Sequence, residues 1–205
     1  FFDISPYLLG PTRDEIKDEA KSNAEMGVIP YSVANTPKYP YHLTWPVNSL
    51  YYYLDSSVNT DTDLIHNAGY NWVYTGYGYN NIYPFTQTTN ISNSAVDVYM
   101  TSENYSFLAT TMFYKRVNGA ETGITSSSGL PADNWLFAKV HIVTHVISQL
   151  SRGDRQATIC HEFGHCLGLA HYNNNPYSIM CQYGKGRAVV LVQECDHNSV
   201  KELYG

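Results

Sequence analysis

Apolar positions recur along this chain in two periods, one suited to strands and one to helices. Residues 50–54 run Leu-Tyr-Tyr-Tyr-Leu, and because aromatic side chains favour a pleated surface they are predicted as the first strand of a sheet. Residues 59–76 open with residues suited to helix capping and end in glycine, with Leu64, Ile65, Ala68, Trp72 and Val73 at helical spacing. They predict a long upper helix whose apolar face rests on the sheet. Residues 83–89 and 95–100 read as the next strands, the second in strict alternation, and residues 109–117 as another. Residues 118–133 are rich in glycine and serine and predict a loop, after which the apolar run 138–147 predicts a strong strand. Residues 196–203 predict a closing helix. Near the start, Ile16, Ala20, Ala24 and Met26 make only a narrow stripe, so residues 12–26 predict a surface helix capped by Thr12 and Glu15 and stopped by Gly27. Pro30, Pro37, Pro40 and Pro46 then mark an extended connection.

Chemistry concentrates in residues 158–171, which contain His161, Glu162, His165, Gly168 and His171 in the order H-E-x-x-H-x-x-G-x-x-H. Helix positions four apart stack at about 6 Å, so His161 and His165 can face one ion. Gly168 can take the left-handed conformation that ends a helix, and His171 then returns toward the same point. Three imidazoles leave one tetrahedral position of a zinc ion open, as in catalytic rather than structural sites. Glu162 stands beside that position as the expected general base and then general acid. A lone His-x-x-x-His pair is more often a solvated or core pair; here five specified positions agree. His141 and His145 share a predicted strand face but would lie about 13 Å apart, too far for one ion. Arg152-Gly153-Asp154 forms an adhesion-like triplet, yet Asp154 is better explained as the N-cap of the active-site helix.

Together with Ser178-Ile179-Met180, the motif resembles that of the metzincin metallopeptidases, in which such a Met-turn lies beneath the zinc. From residue 43 to 205 the layout is most similar to the matrixin branch, including the ending at residues 196–205. The resemblance implies an α+β, zincin-like fold. It comprises a mixed, twisted five-stranded sheet with an upper helix, an active-site helix and a C-terminal helix, in two lobes around a cleft. It also implies endopeptidase activity with one catalytic zinc held by His161, His165 and His171, and Met180 as a hydrophobic floor. Residues 180–192 would shape the pocket for the side chain after the scissile bond. Two departures stand out. Tyr172 follows the third histidine where matrixins typically carry serine. Gln182 occupies the place of the tyrosine ligand of astacins and serralysins, leaving Tyr183 as either an oxyanion donor or a pocket wall. In matured matrixins an acidic residue of the last helix can pair with the N-terminal amine, which is not assumed for Asp196.

Composition narrows the class. A chain of 205 residues can bury roughly 70% of its unfolded surface in one core. Residues 43–205 are expected to form the catalytic domain. Residues 1–42 would be an N-terminal extension, either a remnant pro-segment or family-specific cap or, as preferred, an elaboration packed on the back of the domain. Fourteen per cent aromatic residues with 19 tyrosines suit a secreted protein. A net charge of −6 argues against nucleic acid, and no apolar run is long enough to span a membrane. The start at Phe1, without methionine or signal sequence, suggests a processed product. Cys160, Cys166, Cys181 and Cys195 suggest two disulfides, preferably Cys160 with Cys195 and Cys166 with Cys181; free thiols or a zinc cluster are the competing readings. Asp61 and Asp63 could serve calcium, although helix capping explains them more simply. Asn90 and Asn104 fit the glycosylation sequon. The expectation is a secreted, monomeric zinc endopeptidase acting on protein or peptide. The alternatives are a latent form, with Asp3 or another N-terminal residue on the zinc, and a non-catalytic zinc-stabilised binding or adhesion module, against which the intact Glu162 argues.

Overall fold

The computed structural model describes residues 34–205. The helix expected over residues 12–26, its Gly27 stop, Pro30 and Asp3 lie outside them. Among the described residues six strands form one sheet: β1 (Leu50–Leu54), β2 (Pro84–Thr88), β3 (Val96–Thr101), β4 (Ala109–Val117), β5 (Ala120–Gly123) and β6 (Phe137–Val143). Their order is β2-β1-β3-β6-β4-β5, with β2, β1, β3 and β6 parallel and β4 antiparallel to both β6 and β5. The fold is thus α+β with a mixed sheet. The sixth strand comes from the predicted loop. Asn118 and Gly119 both adopt positive φ, 51° and 81°, as a tight hairpin turn requires, and this folds β5 back on Tyr114–Val117.

A second difference concerns the strand expected over residues 138–147. β6 ends at Val143, and Thr144–Ile147 form a single helical turn, α2, with the Thr144 hydroxyl donating to the Thr101 carbonyl at 3.1 Å. The two histidines therefore share no strand face: His141 is stacked 5.1 Å from Tyr99 on the sheet, whereas His145 is exposed on α2.

Helix α1 (Thr62–Val73) buries Leu64, Ile65, Ala68, Gly69 and Trp72, packing mainly on the helix that carries His161 and His165 and meeting the sheet chiefly at β2. Asp61 precedes it in a left-handed conformation without a side-chain cap and instead pairs with Arg155 at 3.4 Å; Asp63 pairs with Arg152. Helix α3 (Arg152–Cys166) is capped one turn earlier than expected, because Ser151 Oγ accepts the Asp154 N–H at 3.1 Å. From Gln156 to Cys166 every residue of α3 is buried, packed against α1 and against β4 and β6 of the sheet. Two indoles fix it laterally: Trp72 Nε1 donates to the Cys160 carbonyl at 2.9 Å and Trp135 Nε1 to that of Cys166 at 3.1 Å. Helix α4 (Glu194–Tyr204) closes the molecule. Of the expected N-terminal extension, Thr36 donates its N–H to Cys195, and Pro37 and Tyr39 bond to Ala170 and Gly168 just past α3.

The expected disulfides are not formed: all four cysteines are free thiols. Their side chains enter different environments. Cys160 meets the Val192 backbone, Cys166 faces Thr111, Cys181 Sγ lies near the Gln182 and Lys185 carbonyls, and Cys195 faces Asn175. No helix among the described residues is long and apolar enough to cross a membrane.

Gly164 lets α3 sit directly on Met180 and Trp72. A Cβ there would fall 2.3 Å from the Met180 sulfur and 2.9 Å from the Trp72 ring. Gly164→Ala is expected to lower the unfolding free energy by about 1–3 kcal/mol through overpacking, read as a lower urea midpoint at unchanged slope. Wild-type stability in the variant would show that this contact can open freely.

Candidate active site

His161 and His165 project from one face of α3, their rings 4.6 Å apart and nearly perpendicular. The helix stops two residues on, where Gly168 takes φ 104° and the Leu169 N–H turns back to the Gly164 carbonyl at 3.0 Å. The chain then reverses and brings His171 to 5.2 and 4.7 Å from the other two rings. One ligand nitrogen from each of the three lies within 4.8 Å of the others, and the Nε2 atoms of His165 and His171 are 3.2 Å apart.

The outer nitrogens fix the tautomers. A carbonyl can only accept, so His161 Nδ1–H donates to Ile179 and His165 Nδ1–H to Leu169, each at 2.8 Å. Their Nε2 lone pairs are left facing the common point. Burial lowers His161 well below its usual range and His165 to about 3, neighbouring histidines adding to both, and lowers the exposed His171 as well. Neutral imidazoles with aligned lone pairs and carbonyl-anchored outer nitrogens are the donor set that zinc takes, so the residues fit that ion.

Glu162 is 6% exposed beside this trio. Burial raises its carboxyl to about 7, against the pull of the Thr111 hydroxyl and the Arg187 charge. Thr111, on β4, donates to Glu162 Oε2 at 2.7 Å. Tyr39 stacks on His165 with ring centres 5.8 Å apart, its hydroxyl 2.9 Å from Nδ1. Behind the site, residues 178–180 turn tightly with Met180 wholly buried under α3. Asp196 holds that turn. Its carboxylate accepts from the hydroxyls of Thr36 and Ser178 at 2.6 Å each and from the N–H groups of Ile179 and Gln193 at 3.0 Å each. Asp196 thus fixes Ile179, and Ile179 fixes His161.

The site opens into a cleft of about 580 Å³, walled by Leu108–Thr111 on one side and by Gln182, Tyr183, Gly184 and Arg187 on the other. Tyr183 is 44% exposed at this rim. Tyr172 lies outside it and donates its N–H to the Met180 carbonyl at 2.9 Å. The structure brings together His161, Glu162, His165, His171 and Met180. Tyr39, Thr111, Asp196 and Arg187 join them without a motif to announce them. Of these, Arg187 falls within the stretch 180–192 expected to shape the pocket, while Thr111 could have been noticed as a polar residue between Ala109 and Phe113 on the inward face of its strand.

Hydrolysis assisted by a bound metal is the chemistry such an arrangement suits, and the class it defines is that of a metallohydrolase. The matrixin family model matches residues 85–205, more than half of the chain, and the protein belongs to the matrixin family. It is accordingly a zinc metallopeptidase, with proteins as its substrates. A comparison with curated protein sequences finds no match.

Removing the Asp196 carboxylate would strand four donors in the interior. Asp196→Ala is expected to cost about 3 kcal/mol or more of stability and to weaken zinc retention about 10–100-fold through the loosened His161. Chelator competition on the folded variant measures the second effect, and wild-type zinc affinity would uncouple the Met-turn from the ligands.

Proposed function

We propose that the chain is a secreted, monomeric zinc endopeptidase that cuts extended segments laid along the edge of β4. The observation that carries this reading is the placement of Glu162: a buried carboxylate one residue from the first histidine, tethered by β4 itself and open to the cleft. Among the described residues, β5 covers the outer side of β4 only from Tyr114 onward, which leaves Ala109–Met112 free to pair with a substrate strand. Secretion rests on the tyrosine-rich composition.

Zinc held by His161, His165 and His171 would supply Lewis-acid polarisation of the scissile carbonyl and the attacking water. Glu162 takes a proton from that water and returns it to the leaving amine. Thr111 holds Oε2 and leaves Oε1 for the proton, so the carboxylate keeps one orientation through both transfers. A carboxyl raised to about 7 by burial binds the proton firmly enough to carry it at neutral pH. Met180 and the packed face of α3 keep bulk water out from below.

Glu162→Ala is expected to retain zinc while turnover falls by about 10²–10⁴-fold. Mass spectrometry of an unfolded protein mixture, incubated with each form, detects this, and near wild-type cleavage by the variant would remove Glu162 from the mechanism. If residues 1–42 hold a latent form, trimming the N-terminus should raise the rate sharply.

A further inference from the structure

The loop from the Met-turn to α4 places a cation in the cleft wall that the mechanism does not use. Arg187 is half-buried and lines the cleft beside Thr158, His161 and Glu162. Its Nη2 donates to Thr158 Oγ1 at 3.0 Å, and that hydroxyl is already committed to the Asp154 carbonyl at 2.8 Å. No carboxylate lies within ion-pair distance of it among the described residues. Lys38, Lys115, Lys139, Arg152 and Arg155 each have such a partner, and the other cations without one, Arg116, Lys185 and Lys201, are exposed. Asp154 and Glu162 act on Arg187 only through longer-range attraction. A guanidinium carries five N–H donors in a planar fork that matches a carboxylate. Here one of them bonds to the protein, and the guanidinium otherwise lines the open cleft, where it can meet a group of the substrate.

The position of Arg187 gives the fork a direction. It is anchored on Thr158, one helical turn before Glu162 on α3, toward the start of the helix and away from His165 at its end. Glu162 hands its proton to the leaving amine, so that amine lies on the same side as Glu162 and Arg187. The side chain next to the guanidinium therefore belongs to the residue that supplies the amine.

We propose that Arg187 is a specificity-determining residue that selects substrates with glutamate or aspartate immediately after the scissile bond. The inference rests on the peptidase reading above. The carboxylate forms a forked ion pair with Arg187, supplying the partner that the folded chain lacks. Apolar side chains would bury the guanidinium unpaired and basic ones would repel it. A free C-terminal carboxylate on a short substrate shares the same chemistry and must be separated from the side chain.

The test uses zinc-loaded wild-type protein and peptides that differ only in the residue after the cut, Glu, Gln, Leu or Lys, each made with an amidated and with a free C-terminus. Glu is expected to exceed its isostere Gln by about tenfold or more in kcat/KM, with Lys lowest. Arg187→Gln is expected to bring the Glu/Gln ratio close to one. A non-cleavable analogue with a reduced scissile bond should show the same Glu-over-Gln ratio in binding to the wild type, a readout that stands even if the variant fails to fold. A wild-type ratio of one or below, or a ratio that Arg187→Gln leaves unchanged, overturns the proposal and makes Arg187 a structural strut for α3. Cleavage confined to free-acid peptides overturns it in favour of a terminal-carboxylate site. Failure to cut any peptide or unfolded protein would remove the peptidase reading itself, and this inference with it.

Discussion

Imidazoles bind a metal only when they are uncharged and aimed, and the burial of α3 meets both conditions at once. Placing the last eleven residues of the helix in the interior makes protonation of His161 and His165 unfavourable. The carbonyls of Ile179 and Leu169 then decide which nitrogen keeps its hydrogen. The sheet, the paired indoles of Trp72 and Trp135 and the close seat of Gly164 on Met180 all hold the helix at that depth. Gly168 permits the abrupt stop that returns His171 to the same point.

Such burial requires polar groups to find partners inside. Asp196 draws together residue 36, the turn at 178–179 and residue 193 at the start of its own helix, with two hydroxyls and two backbone N–H groups converging on one carboxylate. Thr111 does the same on a smaller scale, joining β4 to Glu162. The wall that receives the substrate and the carboxylate that acts on it are therefore one connected unit. A shift of β4 would turn the general base, and a shift of the Met-turn would turn His161.

Much of this was legible along the chain because local periodicity and local chemistry agree. The histidine spacing, the helix-ending glycine, the alternation of β3 and the apolar face of α1 each concern neighbours within a few turns. The misreadings have physical causes. Asn118-Gly119 is a hairpin signal that a glycine- and serine-rich stretch disguised as a loop. The branched run after Val143 has strand propensity, but the chain turns there and Thr144 bonds to the end of β3. Ser151 rather than Asp154 caps α3 because its hydroxyl reaches the Asp154 N–H. The cysteine count carried no information on whether thiols meet. Tyr39, Thr111, Asp196 and Arg187 were out of reach because each acts on a partner supplied by a distant segment.

The hairpin at Asn118-Gly119 has a consequence for solution behaviour. An uncovered outer strand of nine residues would offer a long row of free amides and carbonyls, the template on which folded copies stick edge to edge. With β5 over its second half, the uncovered part shrinks to about four residues, on the order of 14 Å, recessed in the cleft. The rest of the border passes to β5, itself only four residues long, so the hairpin divides one long edge into two short, offset ones that make a poorer template for another sheet.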